Sequence, residues 1–145
     1  MNKNKDLVLA SDLRTVASRL VKKLRKESVT GQQLSLTERS TMGLLYQNKQ
    51  LLPTELAAME KITNQSMSQI MNHLLELGYI NRTASETDKR KVIISLTEAG
   101  ERTLLQVHSE RDMWLARAIK ETCNDEEIAL LRQVLVPLTK LVNFE

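Results

Sequence analysis

Over most of the chain, apolar residues recur at the spacing of a helix. Leu9, Leu13, Val16, Leu20 and Leu24 fall at steps of three and four, which predicts an amphipathic helix over residues 6–28 with a continuous apolar stripe. Lys22, Lys23, Arg25 and Lys26 crowd its last turns, where cations complement the negative end of the helix dipole, so this cluster reads first as capping and solubility. Gly31, Gln32 and Gln33 read as a loop. Thr37 is the expected N-cap of a second helix reaching about residue 47, with Glu38 in its first turn and Met42, Leu44 and Leu45 turned to the core. Pro53 suits the first turn of a short third helix whose inward side carries Leu56, Ala57 and Met59. The turn that follows, Glu60, Lys61 and Ile62, lacks the glycine often found in such connections, so it is expected to be strained or to use a different geometry.

Residues 63–77 separate into two faces at the helical period. Met67, Ile70, Met71, Leu74 and Leu77 gather on one side and Gln65, Ser68, Gln69, Asn72 and Glu76 on the other, with His73 and Leu75 at the boundary. Thr63 is a suitable N-cap, and Gly78 suits the left-handed residue beyond the C-terminus. A bland surface helix interleaves Lys and Glu, whereas this one presents amides and hydroxyls. Asn and Gln hold a donor beside an acceptor, the arrangement that matches the N6 and N7 edge of adenine in a major groove. Taken alone, the helix is equally compatible with a solvated face that has no partner.

Beyond Gly78 the periodicity changes. Residues 79–82 and 91–96 are short, β-branched-rich runs that pair as a hairpin around residues 83–90, with Ile80, Val92, Ile94 and Leu96 inward. The connecting loop holds Asp88, Lys89 and Arg90 and, apart from Ala84, nothing apolar, so its natural partner is anionic. Thr97, Glu98, Ala99 and Gly100 cap a long helix towards Thr122 that carries Leu104, Leu105, Trp114, Leu115 and Ile119. Asn124 and Glu127 have the spacing of a capping box opening a last helix. Along it Ile128, Leu131, Leu135, Leu138 and Val142 make a seam that wants a partner helix, and Pro137 is expected to bend it.

Composition narrows the function classes. A chain of 145 residues with 41% hydrophobic and 27% charged residues suits one soluble globular domain. Aromatics at 3%, with two prolines and four glycines, favour helix over sheet. The net charge of +3 permits nucleic-acid binding without demanding it. No apolar run is long enough to span a membrane and the N-terminus lacks a signal-peptide core, so no membrane partner and a cytoplasmic location are expected. The single cysteine, Cys123, excludes an intrachain disulfide and reads as a small buried hydrophobe in preference to a redox switch. His73 and His108 have no ligand spacing with it or with each other, so no metal is expected. A phosphate-binding glycine loop, a zinc-hydrolase motif and a nucleophile–base pair are all absent, which predicts neither catalytic residues nor a cofactor: the chain does not read as an enzyme.

Helix, turn, amide-faced helix and basic two-stranded wing make a winged helix-turn-helix, a mainly α fold with a small β-hairpin. From Thr54, Glu55, Leu56 and Ala57, through Asp88, Lys89 and Arg90, to Leu96, Thr97, Glu98, Ala99 and Gly100, the sequence resembles the MarR family of bacterial transcriptional regulators. The resemblance covers essentially the whole chain and is sharpest at the wing and the run after it. It implies a single MarR-like domain over 1–145, with a DNA-binding lobe over 35–97 and dimerisation helices over 6–30 and 98–143. It further implies a homodimer, most often a repressor, that places two recognition helices on a pseudo-palindromic operator in double-stranded DNA.

By that resemblance, Thr63, Asn64, Gln65, Ser66, Ser68, Gln69 and Asn72 meet DNA from the recognition helix, while Arg82, Asp88, Lys89, Arg90 and Lys91 serve the wing. Arg90 would enter the minor groove, Asp88 would brace the wing, and Lys89 and Lys91 would neutralise phosphates. Thr37 and Arg39 are the expected backbone contacts. At Gln69 many family members carry arginine, so this chain is expected to prefer adenine there over guanine. The family also suggests a small, often aromatic effector between the dimer helices and the lobe; Trp114 and Met113 are candidates to line its pocket, although core or dimer packing is their weightier reading. The alternative class is a winged-helix module that binds protein through its polar face, and the cations at residues 82 and 89–91 favour DNA over it.

Overall fold

The computed structural model describes residues 3–145. Six helices and a small sheet follow one another: α1 (Lys3–Glu27), a 3-10 turn (Thr30–Gln33), α2 (Leu36–Asn48), β1 (Gln50–Leu51), α3 (Pro53–Glu60), α4 (Asn64–Glu76), β2 (Ile80–Ala84), β3 (Val92–Leu96), α5 (Glu98–Thr122) and α6 (Asp125–Val142). The sheet is antiparallel in the order β1-β3-β2, with Ile80 opposite Leu96, Arg82 opposite Ile94, and Leu51 opposite Ile94 on the other edge. β1 escapes sequence reading because two residues cannot display an alternation.

The helix boundaries follow from side-chain chemistry. Ser35, rather than Thr37, caps α2: its hydroxyl accepts from the Glu38 N–H at 3.1 Å while Glu38 Oε1 accepts from the Ser35 N–H at 2.8 Å. This reciprocal capping box satisfies two otherwise orphaned donors, and it leaves Thr37 inside the first turn. Thr63, Thr97 and Asn124 cap α4, α5 and α6 as their sequence positions suggest. Glu127 completes a second capping box with Asn124, and Pro137 lies inside α6. α3 opens on Pro53, and Glu55 reaches back to accept from the Leu52 N–H at 2.9 Å.

The core lies between α2, α3, α4 and the sheet, closed by the start of α5. Leu34, Met42, Leu45, Leu51, Leu56, Ala57, Met67, Met71, Leu74, Ile80, Ile94 and Leu104 are its buried members. Leu44, Val92 and Leu96 are half-buried against it, whereas Met59, expected inward, is exposed. By contrast α1 and α6 bury no residue. Leu9, Val16 and Leu20 on α1 and Leu131, Leu135 and Val142 on α6 face outward, a large apolar area with nothing covering it in a single chain.

Besides the buried Leu104 and Val107, two specific contacts hold α5 in place. At the start of α5, the Thr97 hydroxyl donates to the Gly78 carbonyl at 2.6 Å and accepts from the Gly100 N–H at 2.9 Å. A Cβ placed on Gly100 would lie 2.1 Å from the Tyr79 carbonyl oxygen, so no side chain fits there. Further along α5, Glu110 receives the Ser28 hydroxyl at 2.8 Å and the Thr30 hydroxyl at 2.6 Å. The Thr30 and Ser28 hydroxyls hold the Glu110 carboxyl below the ordinary carboxylate range, against the opposing effect of burial.

Gly100→Ala is expected to lower stability by about 2 kcal/mol or more, because the clash is with backbone that cannot swing aside; urea unfolding measures it. Glu110→Ala should cost about 1–3 kcal/mol at neutral pH through lost charge-assisted hydrogen bonds. Because the carboxyl titrates lower in the folded state than in the unfolded one, that contribution is present above the ordinary carboxylate range and fades as pH falls through the folded value. Wild-type and variant unfolding curves should therefore converge in acid.

Candidate nucleic-acid interface

Two helices and a hairpin compose the site. α3 ends in a Schellman motif, with the Ile62 N–H on the Ala57 carbonyl at 3.0 Å and the Lys61 N–H on the Ala58 carbonyl at 3.2 Å. This motif needs a left-handed residue, and Lys61 supplies it at φ 56°. The missing glycine is therefore replaced by a strained lysine, at a cost of roughly 1–2 kcal/mol, and the turn keeps the geometry glycine would give it. α4 ends in the same way, with Gly78 at φ 76° and the Tyr79 N–H on the Leu74 carbonyl at 3.0 Å.

Between these ends α4 divides as its sequence divides. Met67, Met71 and Leu74 are buried, and Ile70, Leu75 and Leu77 are half-buried against the core. Thr63, Asn64, Gln65, Ser66, Ser68, Gln69 and Asn72 are all exposed. The Thr63 hydroxyl serves the cap, accepting from the Ser66 N–H at 3.1 Å and donating to the Ser66 hydroxyl at 3.0 Å. The free polar groups are thus the amides of Asn64, Gln65, Gln69 and Asn72 and the Ser68 hydroxyl.

β2 and β3 project the wing. Its loop, residues 85–91, is closed by the Ser85 N–H on the Lys91 carbonyl and the Lys91 N–H on the Asp88 carbonyl, both at 2.9 Å. Ser85 is buried, and its hydroxyl accepts from the Thr87 and Asp88 N–H groups, each at 3.3 Å. Asp88 Oδ1 accepts from the Arg90 N–H at 3.1 Å and from Arg90 Nε at 3.4 Å. The Arg90 side chain is nevertheless 93% exposed, so the brace fixes its base and leaves the guanidinium in solvent. Arg82, Lys89 and Lys91 are exposed around it. Lys91 belongs to the loop rather than to a strand.

The expected backbone contacts fare differently. Thr37 is half-buried. Arg39 is only 5% exposed, and none of its guanidinium nitrogens has a hydrogen-bond partner. Standing three residues before the buried Met42, it falls on the inward side of α2, which offers little of its guanidinium to a phosphate. The Cys123 thiol is half-buried at the end of α5, rather than fully buried. Among the described residues, no cluster of His, Cys, Asp and Glu is placed to hold a metal ion, and no helix is long and apolar enough to cross a membrane.

One feature of the site was not foreseen. His73 Nδ1 bonds to Glu38 Oε2, across 35 positions of sequence. Burial pushes the Glu38 carboxyl up, but the Ser35 amide and His73 outweigh it, and the group is held below the ordinary carboxylate range. Ser35, Glu38, Ser66, Gln69, Ile70 and His73 line an open cavity of about 310 Å³ between α2 and α4. The capping-box spacing of Ser35 and Glu38 was readable in the sequence; the pairing with His73 had no local signal.

Comparison with known proteins places this geometry. The MarR family model matches residues 34–92, which run from Leu34 through the first residue of β3. An HTH-type transcriptional regulator of Mycobacterium tuberculosis is 29% identical over 138 residues, covering 95% of each chain. A crystal structure from Pseudomonas aeruginosa PA01, assigned as a transcriptional regulator, is 30% identical with a TM-score of 0.86, covering 98% of this chain and 99% of that one. MarR of E. coli complexed with operator DNA shares the fold at a TM-score of 0.67 and 17% identity, covering 95% and 98%. The winged helix-turn-helix, the family match inside it and the full-length likeness to regulators agree: the chain belongs to the MarR family.

Proposed function

We propose that this chain is a sequence-specific regulator of transcription that binds double-stranded DNA as a homodimer on a pseudo-palindromic operator, most simply as a repressor. The observation that carries the reading is the pairing of an exposed amide face on α4 with an exposed cluster of cations on the wing, both borne by one small core. Gln65, Ser68, Gln69 and Asn72 read base edges, Arg90 enters the minor groove, and Arg82, Lys89 and Lys91 neutralise phosphates. Thr37 remains a backbone contact in this reading, and Arg39 does not.

The lobe over 35–97 is the reading unit, and the helices over 6–30 and 98–143 supply the dimer. Their uncovered apolar faces support that division. Two-fold symmetry then sets half-sites about 10 base pairs apart, or a multiple. A small aromatic effector that releases the operator, a cytoplasmic location and the lack of enzymatic activity complete the reading on family grounds. A protein-binding module is less well supported, because four cations on and beside the wing suit a polyanion.

Footprinting on the DNA flanking its own gene, repeated with small phenolic compounds, tests the whole. Binding to duplex DNA should weaken steeply with salt, and a shallow dependence would count against the reading. Gln69→Ala should cost roughly 1–3 kcal/mol at the cognate operator and little on random duplex, measured by titration of both; equal losses would remove Gln69 from base reading. Arg90→Ala should weaken binding to all duplexes and lower the slope of log affinity against log salt by about one contact. An unchanged slope would show that Arg90 touches no phosphate-lined surface.

A further inference from the structure

Among the described residues, the bond between His73 and Glu38 is the one side-chain hydrogen bond that joins α4 to another element of the fold. Apart from the backbone bonds that close its C-terminal end, the other holds on α4 from the core are apolar, through Met67, Met71 and Leu74 and their half-buried neighbours. Apolar packing is non-directional. It fixes how deeply a helix sits and constrains its rotation only loosely, whereas a hydrogen bond to a rigid acceptor is directional.

Glu38 is such an acceptor. It is 7% exposed, its backbone lies in the first turn of α2, and its other carboxylate oxygen is engaged by the Ser35 N–H at 2.8 Å. His73 stands one turn beyond Gln69 and next to Asn72, at the edge of the exposed amide face, and shares the cavity between α2 and α4 with Gln69. We propose that Glu38 and His73 are a positioning pair: their bond fixes the rotation of α4 about its own axis and so sets the aim of Gln69 and Asn72 at the bases. The inference rests on the DNA-reading function proposed above. A bidentate amide contact needs both of its hydrogen bonds in line, so a small rotation of α4 removes discrimination between bases while leaving the phosphate contacts of the wing intact.

The test uses an operator selected from a random duplex library by the wild-type protein. Affinities of wild type, His73→Ala, His73→Asn and His73→Gln are measured on that operator, on its single-base variants and on random duplex. The asparagine amide nitrogen takes the place of Nδ1 and can still donate to Glu38, whereas the glutamine amide reaches the place of Nε2. His73→Ala and His73→Gln should lose about tenfold in discrimination, with binding to random duplex and the salt slope unchanged. His73→Asn should recover most of the loss. Should His73→Ala fail to fold, His73→Gln carries the comparison with His73→Asn. Discrimination equal to wild type in both would overturn the proposal. So would an equal loss on every duplex in all three variants with a shallower salt slope, which marks a direct phosphate contact by the imidazole. A wild type that selects no duplex would instead overturn the reading function, and this inference with it.

Discussion

The close approach of Gly100 to the Tyr79 carbonyl is the constraint on which the arrangement of this molecule turns. Within a few residues of it lie the end of α4, the first residue of the wing and the start of the longest C-terminal helix. The Thr97 hydroxyl spans the same junction, donating to the Gly78 carbonyl and capping α5. In one place the chain thus fixes how α4 meets the wing and how both meet the helix that leads out of the core. This accounts for the run Leu96, Thr97, Glu98, Ala99 and Gly100: the threonine is a cap and a bridge, and the glycine is the only residue the gap admits.

A second joint, at Glu110, has different chemistry. Ser28 is fully buried, and its hydroxyl both donates to Glu110 and accepts from the Gly31 N–H at 3.0 Å. The short link between α1 and α2 is therefore tied to the middle of α5 by polar groups that satisfy one another, beside the buried Val107 that packs against Gly31. Such a tie is directional and can be broken as a unit. The start and the middle of α5 are then held by joints of unlike character, one steric and one polar, on either side of the buried Leu104 and Val107.

Much of this was legible in the sequence. The two faces of α4, the caps at Thr63, Thr97 and Asn124, the inward Ile80 and Ile94, and the uncovered stripes of α1 and α6 all follow from period and capping chemistry. What was not legible is instructive. Ser35 caps α2 in place of Thr37 because a reciprocal capping box outcompetes a lone hydroxyl, and its signal is the three-residue spacing of Ser35 and Glu38. The resemblance makes Arg39 a backbone contact, while its phase, three residues before Met42, puts it inside. Ser85 looked like an ordinary loop residue, yet its buried hydroxyl organises the wing turn. The Glu38–His73 bond and β1 depend on contacts distant in sequence, for which neither periodicity nor propensity carries a trace.

Arg39 remains the least comfortable residue in the single chain. A guanidinium has five donors and stays charged, so its burial without an acceptor costs several kcal/mol unless the charge is met. Arg39 shares the buried side of α2 with Met42 and Leu45. Meanwhile the strained Lys61 and the buried Glu38 lie at the two ends of the unit that presents α4. Strain, a buried carboxylate and an unpartnered cation thus gather in residues 38–61, the part of the chain that holds the reading helix in place. Stability elsewhere supports a local geometry that would not be chosen for stability itself, as expected where a surface must present particular groups in a fixed direction.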